Sequence, residues 1–178
     1  NEAVLLEPLS RLRILQGKLL GRVVSLDLKL ETEAQGAILV EETLRTAEIE
    51  GQKFNRDAVR SSVALRLGLP RGIGAQDRNI DGLVDVLLDA VRFHDQPLTL
   101  GRLNGWQAAL FPSGYSGLRK IRTGRLRGNE PMQIVSGPIG KEKVHFEAVP
   151  SGRLNKEMRL FLKWWHSSSG HMDGVLRA

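Results

Sequence analysis

The residues able to do chemistry are few in this chain, and most stand in patterns that point away from a reaction. There is no cysteine, so a thiolate nucleophile, a Cys-ligated zinc and a redox pair are excluded, and a reducing cytoplasm is the expected compartment. The four histidines are His94, His145, His166 and His171. No two of them stand at the i, i+4 spacing of a metalloprotease helix and none lies among clustered carboxylates, so no metal site is expected. His166 and His171 flank a Ser-rich turn, which by itself is weak ligand spacing. Serines are plentiful, but none sits on a strand-turn-helix elbow. Glu41-Glu42 and Asp85 with Asp89 read as solvated helix faces. The run Gly137-Pro138-Ile139-Gly140-Lys141-Glu142 has too few residues before its Gly-Lys pair for a phosphate loop and no Ser or Thr after it. Gly72-Ile73-Gly74 has neither the preceding strand nor the third glycine of a dinucleotide turn.

One constellation is more specific. Thr46-Ala47-Glu48-Ile49-Glu50-Gly51 sets a hydroxyl and a carboxylate four residues apart, directly before a glycine suited to ending a helix. At that spacing Thr46 and Glu50 share a face. Glu50 lies at the carbonyl end of the helix, where the macrodipole disfavours an anion and an arginine partner would satisfy it better. An ordinary exposed glutamate before a C-terminal glycine fits the same spacing. Trp164-Trp165 cannot share one helix face, which places one in a core and the other at an interface, with a base-stacking platform as the sharper alternative.

Charge is concentrated. The chain carries a net charge of +6. From Gln96 to Asn129 there is no acid, while Arg102, Arg119, Lys120, Arg122, Arg125 and Arg127 match the whole excess. Such a stripe suits a phosphate, a nucleotide or a nucleic acid, and equally a solvated basic loop.

These residues need elements to position them. With 178 residues, 41% of them hydrophobic and 26% charged, the chain is long and apolar enough for a folded core of about one large domain. No apolar run is long enough to span a membrane or to read as a signal peptide. Leu12, Leu15, Leu19, Val23, Leu26 and Leu30 step by three and four, predicting a core-packing amphipathic helix over 9–30. A second helix is expected over 33–49, ending at Gly51. Asn55 should cap a third through Val59, Val63 and Leu67, stopping at Gly68-Leu69-Pro70. A fourth, from Asn79, should bury Leu83, Val84, Leu87, Leu88 and Val91, and Thr99 should cap a fifth over 100–111 with Leu103, Trp106 and Leu110 on one side. The glycine-richer stretch that follows carries Met132-Gln133-Ile134-Val135 and Val144-His145-Phe146-Glu147, two alternating runs that predict a β-hairpin leaning on the helices around it. Ser151 should cap a last long helix through Trp165. The fold class is therefore mainly α with one inserted hairpin, divided at the loop 70–76 into 1–76 and 77–178.

Three of these features, in order, resemble the Fic family, whose members transfer AMP from ATP to hydroxyl side chains of target proteins. Thr46 to Gly51 is similar to the family's inhibitory-helix motif, Ser or Thr, three residues, Glu, then Gly or Asn. The run from Leu98-Thr99-Leu100 to Trp106-Gln107-Ala108-Ala109-Leu110-Phe111 resembles the helix opening the Fic core, although relatives often have His where Gln107 stands. Gly117-Leu118-Arg119-Lys120-Ile121-Arg122-Thr123, the hairpin, and Phe146-Glu147-Ala148-Val149-Pro150 resemble the arginine-bearing segment and the flap. The resemblance implies a helical Fic-like fold with an N-terminal inhibitory domain, inhibition through Thr46, Glu50 and Gly51, and a target-docking flap formed by Met132, Gln133, Ile134, Val135, Val144, His145 and Phe146. It makes Arg119, Lys120 and Arg122 the candidates for phosphate contacts or for holding the flap's base. The family signature, His-Pro-Phe followed by Gly-Asn-Gly-Arg, does not occur. The chain opens on Asn1 and closes on what reads as a helix just begun, so the expectation is a fragment ending before its catalytic loop, inactive by itself and with no catalytic residue of its own. ATP, Mg2+ and a protein target with an acceptor hydroxyl are implied for the intact parent, a homo-oligomer is compatible, and no membrane is involved. The competing expectation is a basic helical module that binds nucleic acid without catalysis, and a third is a helical scaffold.

Overall fold

A computed structural model of the protein describes residues 2–23, 28–70, 72–138 and 140–177. Among these the chain is mainly helical, with seven helices and two separate two-stranded antiparallel pairs. It divides into two compact units, Asn1–Gln76 and Asp77–Ala178.

The first unit is built on two helices, α2 (Leu28–Ile49) and α3 (Arg56–Leu67). Gly36, Leu39, Val40, Thr43 and Ala47 recur at three and four residue steps and form the buried stripe of α2. Ala58, Val59, Ser62, Val63 and Ala64 are the buried residues of α3. Small side chains let the two helices approach closely. The buried Thr43 hydroxyl is satisfied within its own helix, donating to the Leu39 carbonyl at 2.7 Å. Asn55 caps α3 as its sequence position predicts, its Oδ1 accepting from the Asp57 and Ala58 amides at 2.9 and 3.1 Å. Gly68 ends the helix in the left-handed region at φ 69°.

The remaining helix of this unit, α1 (Glu2–Val23), departs from expectation. Of the helix expected over 9–30, α1 accounts for the part up to Val23 and α2 begins at Leu28, while Leu26 lies outside the described residues. The stripe does not pack in a core, since Leu12, Leu15 and Leu19 are 41%, 56% and 62% exposed. The amphipathic pattern forms a helix, but among the described residues of the unit nothing buries its stripe.

In the second unit, α4 (Arg78–Arg92) packs on α5 (Leu100–Leu110). Ile80, Gly82, Val84 and Leu88 are buried. Val91, expected to be buried, is exposed, and so is Leu110. Gly82 is required at the crossing: a Cβ there would collide with the Ala109 carbonyl. Asp77 caps α4 through the Asn79 amide at 2.8 Å, and Thr99 caps α5 through the Arg102 amide at 3.1 Å.

A short strand pair follows, β1 (Tyr115–Ser116) with β2 (Arg119–Lys120), for which the local sequence has no alternating pattern. The expected hairpin forms as β3 (Gln133–Ser136) and β4 (Lys143–Glu147), antiparallel, with Ile134 opposite Phe146 and Val135 opposite Val144. It does not lean on helices: every residue of both strands is exposed. The last long helix, α6 (Ser151–Ser167), precedes the short α7 (Gly174–Arg177). Pro150, not Ser151, takes the N-cap position and provides no side-chain cap. Trp165 is half-buried under the Arg177 guanidinium, 3.9 Å from the ring centroid, and Trp164 is exposed.

Candidate functional site

The Thr46 to Gly51 segment closes α2 with a defined geometry. Gly51 stands in the left-handed region at φ 73°. Its amide donates to the Glu48 carbonyl at 2.9 Å, and the Gln52 amide donates to the Ala47 carbonyl at 2.8 Å. These two bonds make a Schellman cap, which satisfies the last carbonyls and fixes where the helix stops. Burial of Thr43 and Ala47 fixes the helix rotation, so Thr46 is half-buried beside the core stripe and Glu50 is exposed. Four residues of helix bring their Cβ directions within about 40° of each other. Among the described residues no cation lies within ion-pair distance of the Glu50 carboxylate, whereas Glu48, two residues earlier, is paired with Arg45 at 2.7 Å. Arg56 of α3 reaches back to Glu41 of α2, and this hydrogen bond holds the Glu41 carboxyl below its ordinary range. The turn that presents Glu50 is thus bracketed by a helix cap on one side and an ion pair spanning the two helices on the other.

In the second unit the hairpin is attached at its base. The Ala148 amide donates to the Met132 carbonyl at 2.8 Å. Arg127 donates to the Glu130 carbonyl at 2.9 Å and to the Val149 carbonyl. Ser151, freed from capping, donates to Asn129 Oδ1 at 2.6 Å. Beyond this base Met132, Gln133, Ile134, Val135, Val144, His145 and Phe146 are all exposed. The register shifts between Ile134 and Val135, leaving His145 as the extra residue of a bulge, with its Nε2 hydrogen-bonded to Ser136 Oγ at 2.6 Å. Gly137 and Gly140 turn the chain at φ 105° and 85°. The Gly140 amide donates to Glu142 at 2.8 Å, which lowers that carboxyl's pKa. Each strand has a single partner, so each keeps one edge of backbone donors and acceptors open.

The basic stretch separates into two groups. Arg102 is turned inward: its Nε donates to Asp89 Oδ2 at 2.7 Å and its Nη2 to the Asp89 carbonyl at 2.8 Å, with Trp106 Nε1 donating to the same Oδ2 at 2.7 Å. The Arg102 hydrogen bond is the main reason that the Asp89 carboxyl sits below its ordinary range, desolvation opposes it, and the Trp106 bond adds to it. Asp89 is therefore not the solvated face residue that its spacing suggests but the anchor between α4 and α5. Arg127 is spent on carbonyls, and Arg119 pairs with Glu130 at 3.0 Å in an exposed bridge. Lys120, Arg122 and Arg125 remain exposed, with no acid within ion-pair distance among the described residues. Gln107 clamps this stretch to α5, its amide nitrogen donating to the Arg122 carbonyl at 3.2 Å and its oxygen accepting from the Gly124 amide at 2.6 Å.

Of the three cations singled out for phosphates or for the hairpin base, Arg119 reaches Glu130 beside that base, while Arg127 makes the bonds that close it. Nothing in its local sequence marks Arg127, since its acceptors are carbonyls and one of them is 22 residues away. Among the described residues no group of three or more His, Asp or Glu converges, and no helix is long and apolar enough to cross a membrane. A family model described as a domain of unknown function (DUF4172) matches residues 1–69, which takes in α1 to α3 and the Thr46 to Gly51 segment. No curated protein matches the chain.

Proposed function

We propose that this chain is the regulatory and target-positioning portion of a Fic-type protein adenylyltransferase, self-inhibited through Glu50. The observation that carries the reading is the capped end of α2, where an exposed carboxylate without a cationic partner among the described residues follows Thr46 at helical spacing and precedes a left-handed glycine. An anion fixed at a helix carbonyl end is electrostatically costly. An arginine from the catalytic signature would relieve that cost and in doing so be withheld from the γ-phosphate. In AMP transfer the target hydroxyl oxygen bonds to the α-phosphorus as the bond to pyrophosphate breaks, and a histidine base takes the hydroxyl proton. The His-Pro-Phe signature that would carry the base does not occur in this sequence. The reading therefore assigns ATP and Mg2+ to the segment that bears the signature and gives this chain control and docking.

The hairpin supports the docking half of the proposal. A target segment adding to an open edge of β3 or β4 would be held by backbone hydrogen bonds, with Ile134, Val144 and Phe146 offering apolar contacts at alternate positions. The alternative, a basic nucleic-acid-binding module, would draw on Lys120, Arg122 and Arg125, because Arg102, Arg119 and Arg127 already have protein partners. The test is the protein expressed from its complete reading frame, incubated with Mg2+ and ATP labelled at the α-phosphate. Glu50→Gly should raise label incorporation into protein. Unchanged incorporation would remove Glu50 from the inhibitory role, and a reading frame without the His-Pro-Phe signature would remove the transferase reading.

A further inference from the structure

Among the described residues, two surfaces of the first unit lack a partner and match each other. The first is α1. Leu5, Leu12, Leu15 and Leu19 lie along one stripe and are all exposed, an arrangement that a helix in water does not sustain uncovered. At 100° per residue Glu7, Arg11 and Lys18 fall within about 40° of one another on a single flank of that stripe.

The second is a cleft of about 470 Å³ between α2, α3 and the loop that follows α3. Val40, Val63, Ala64 and Leu69 supply its apolar floor, and Gly36 keeps it open toward Leu69. Two glycines hold the loop in place, since a Cβ on Gly36 would stand 3.1 Å from Leu69 Cδ1 and one on Gly74 would collide with the Asp57 carbonyl. Three acids, Glu33, Glu41 and Asp57, and two arginines, Arg56 and Arg60, line the cleft. Glu41 and Arg56 pair with each other. Among the described residues Glu33, Asp57 and Arg60 have no opposite charge within ion-pair distance, so the lining offers two carboxylates and one guanidinium to an incoming surface.

We infer that the cleft receives α1 of a second copy of this chain, each copy lending its helix to the other. Length agrees: Glu33 to Glu41 spans about 12 Å of α2, and Leu12 to Leu19 spans about 10 Å of α1. Charge agrees as well. Arg11 and Lys18 supply cations for Glu33 and Asp57, and Glu7 supplies an anion for Arg60. The exchange is isologous, so it closes at a dimer and covers both apolar surfaces twice over. This interface uses neither Glu50 nor the hairpin and stands independently of the transferase proposal.

The absence of native cysteine makes the test clean. Leu15→Cys and Ala37→Cys, each made alone in the full chain, are mixed and oxidised with copper phenanthroline. Ala37 is an exposed residue of the cleft wall. The mixture should give a disulfide-linked dimer on a non-reducing gel, with little from either variant alone. Sedimentation should show the unsubstituted chain as a dimer and the Leu12→Asp, Leu19→Asp double variant as a monomer that keeps its helical circular dichroism. A cross-link formed equally well by Leu15→Cys alone would mean α1 pairs with α1 and overturns the inference. So would a monomeric cross-link in the Leu15→Cys, Ala37→Cys double variant, which would place a chain's own α1 in its cleft, and so would a monomeric unsubstituted chain at micromolar concentration.

Discussion

Replacing Asp89 by Asn tests the packing of the second unit at its most connected polar point. Asp89 Oδ2 accepts from both Arg102 Nε and Trp106 Nε1 at 2.7 Å. Hydrogen bonds to a charged group contribute about 1.5–3 kcal/mol each when one partner is removed. The carboxylate side chain is 36% exposed and its Arg102 partner 16%, so solvent screening cuts the gain. Arg102 also keeps its bonds to the carbonyls of Asp89 and Gln96. The net loss should be about 2 kcal/mol, equivalent to a drop in Tm of about 8 °C.

The effect should depend on pH with a definite sign. The folded pKa of Asp89 is lowered, so its contribution is present above the ordinary aspartate pKa and is lost as pH falls through the folded value. Wild type and Asp89→Asn should differ fully near pH 7 and converge in acid. Thermal unfolding followed by tryptophan fluorescence, in which Trp106 is itself a reporter, measures both. A difference below about 0.5 kcal/mol, or one that persists undiminished at pH 3, would mean that the Asp89 carboxylate does not hold α4 to α5.

Three further substitutions probe separate features. Gly82→Ala drives a Cβ into the Ala109 carbonyl and should cost about 2 kcal/mol or more, read as a lower urea midpoint. Gly51→Ala places a side chain at φ 73° and should cost about 1 kcal/mol in the same assay, with α2 fraying at its C-terminal turn. Arg127→Ala removes the bonds to the Glu130 and Val149 carbonyls, and the Ala148 amide should then exchange its hydrogen about tenfold faster while the global unfolding midpoint moves little.

What was legible from sequence and what was not divide by the distance over which a signal acts. The Asn55 and Thr99 caps, the glycine ends of α2 and α3 and the two strands of the hairpin follow from a few neighbouring residues, and the structure places them within one residue or so of expectation. The mainly helical class follows from the same local patterns. Coverage does not. The Leu12, Leu15, Leu19 stripe predicts a helix correctly but cannot name what lies against it, and the hairpin pattern carries no mark that both its faces would be exposed. Asp89 reads as a solvated face residue because its partners come from another helix, 13 and 17 residues away. The six-cation stretch reads as one patch until Arg102, Arg119 and Arg127 are seen to be engaged. At the candidate site, the motif spacing from Thr46 to Gly51 is readable directly, whereas the tie between Arg56 and Glu41 that brackets it depends on how the two helices meet.

Self-inhibition through Glu50 is measured by incorporation of α-labelled AMP into protein by the polypeptide of the complete reading frame, with and without Glu50→Gly. Incorporation should be low with Glu50 present and should rise markedly when it is replaced. Equal incorporation by the two proteins would contradict self-inhibition.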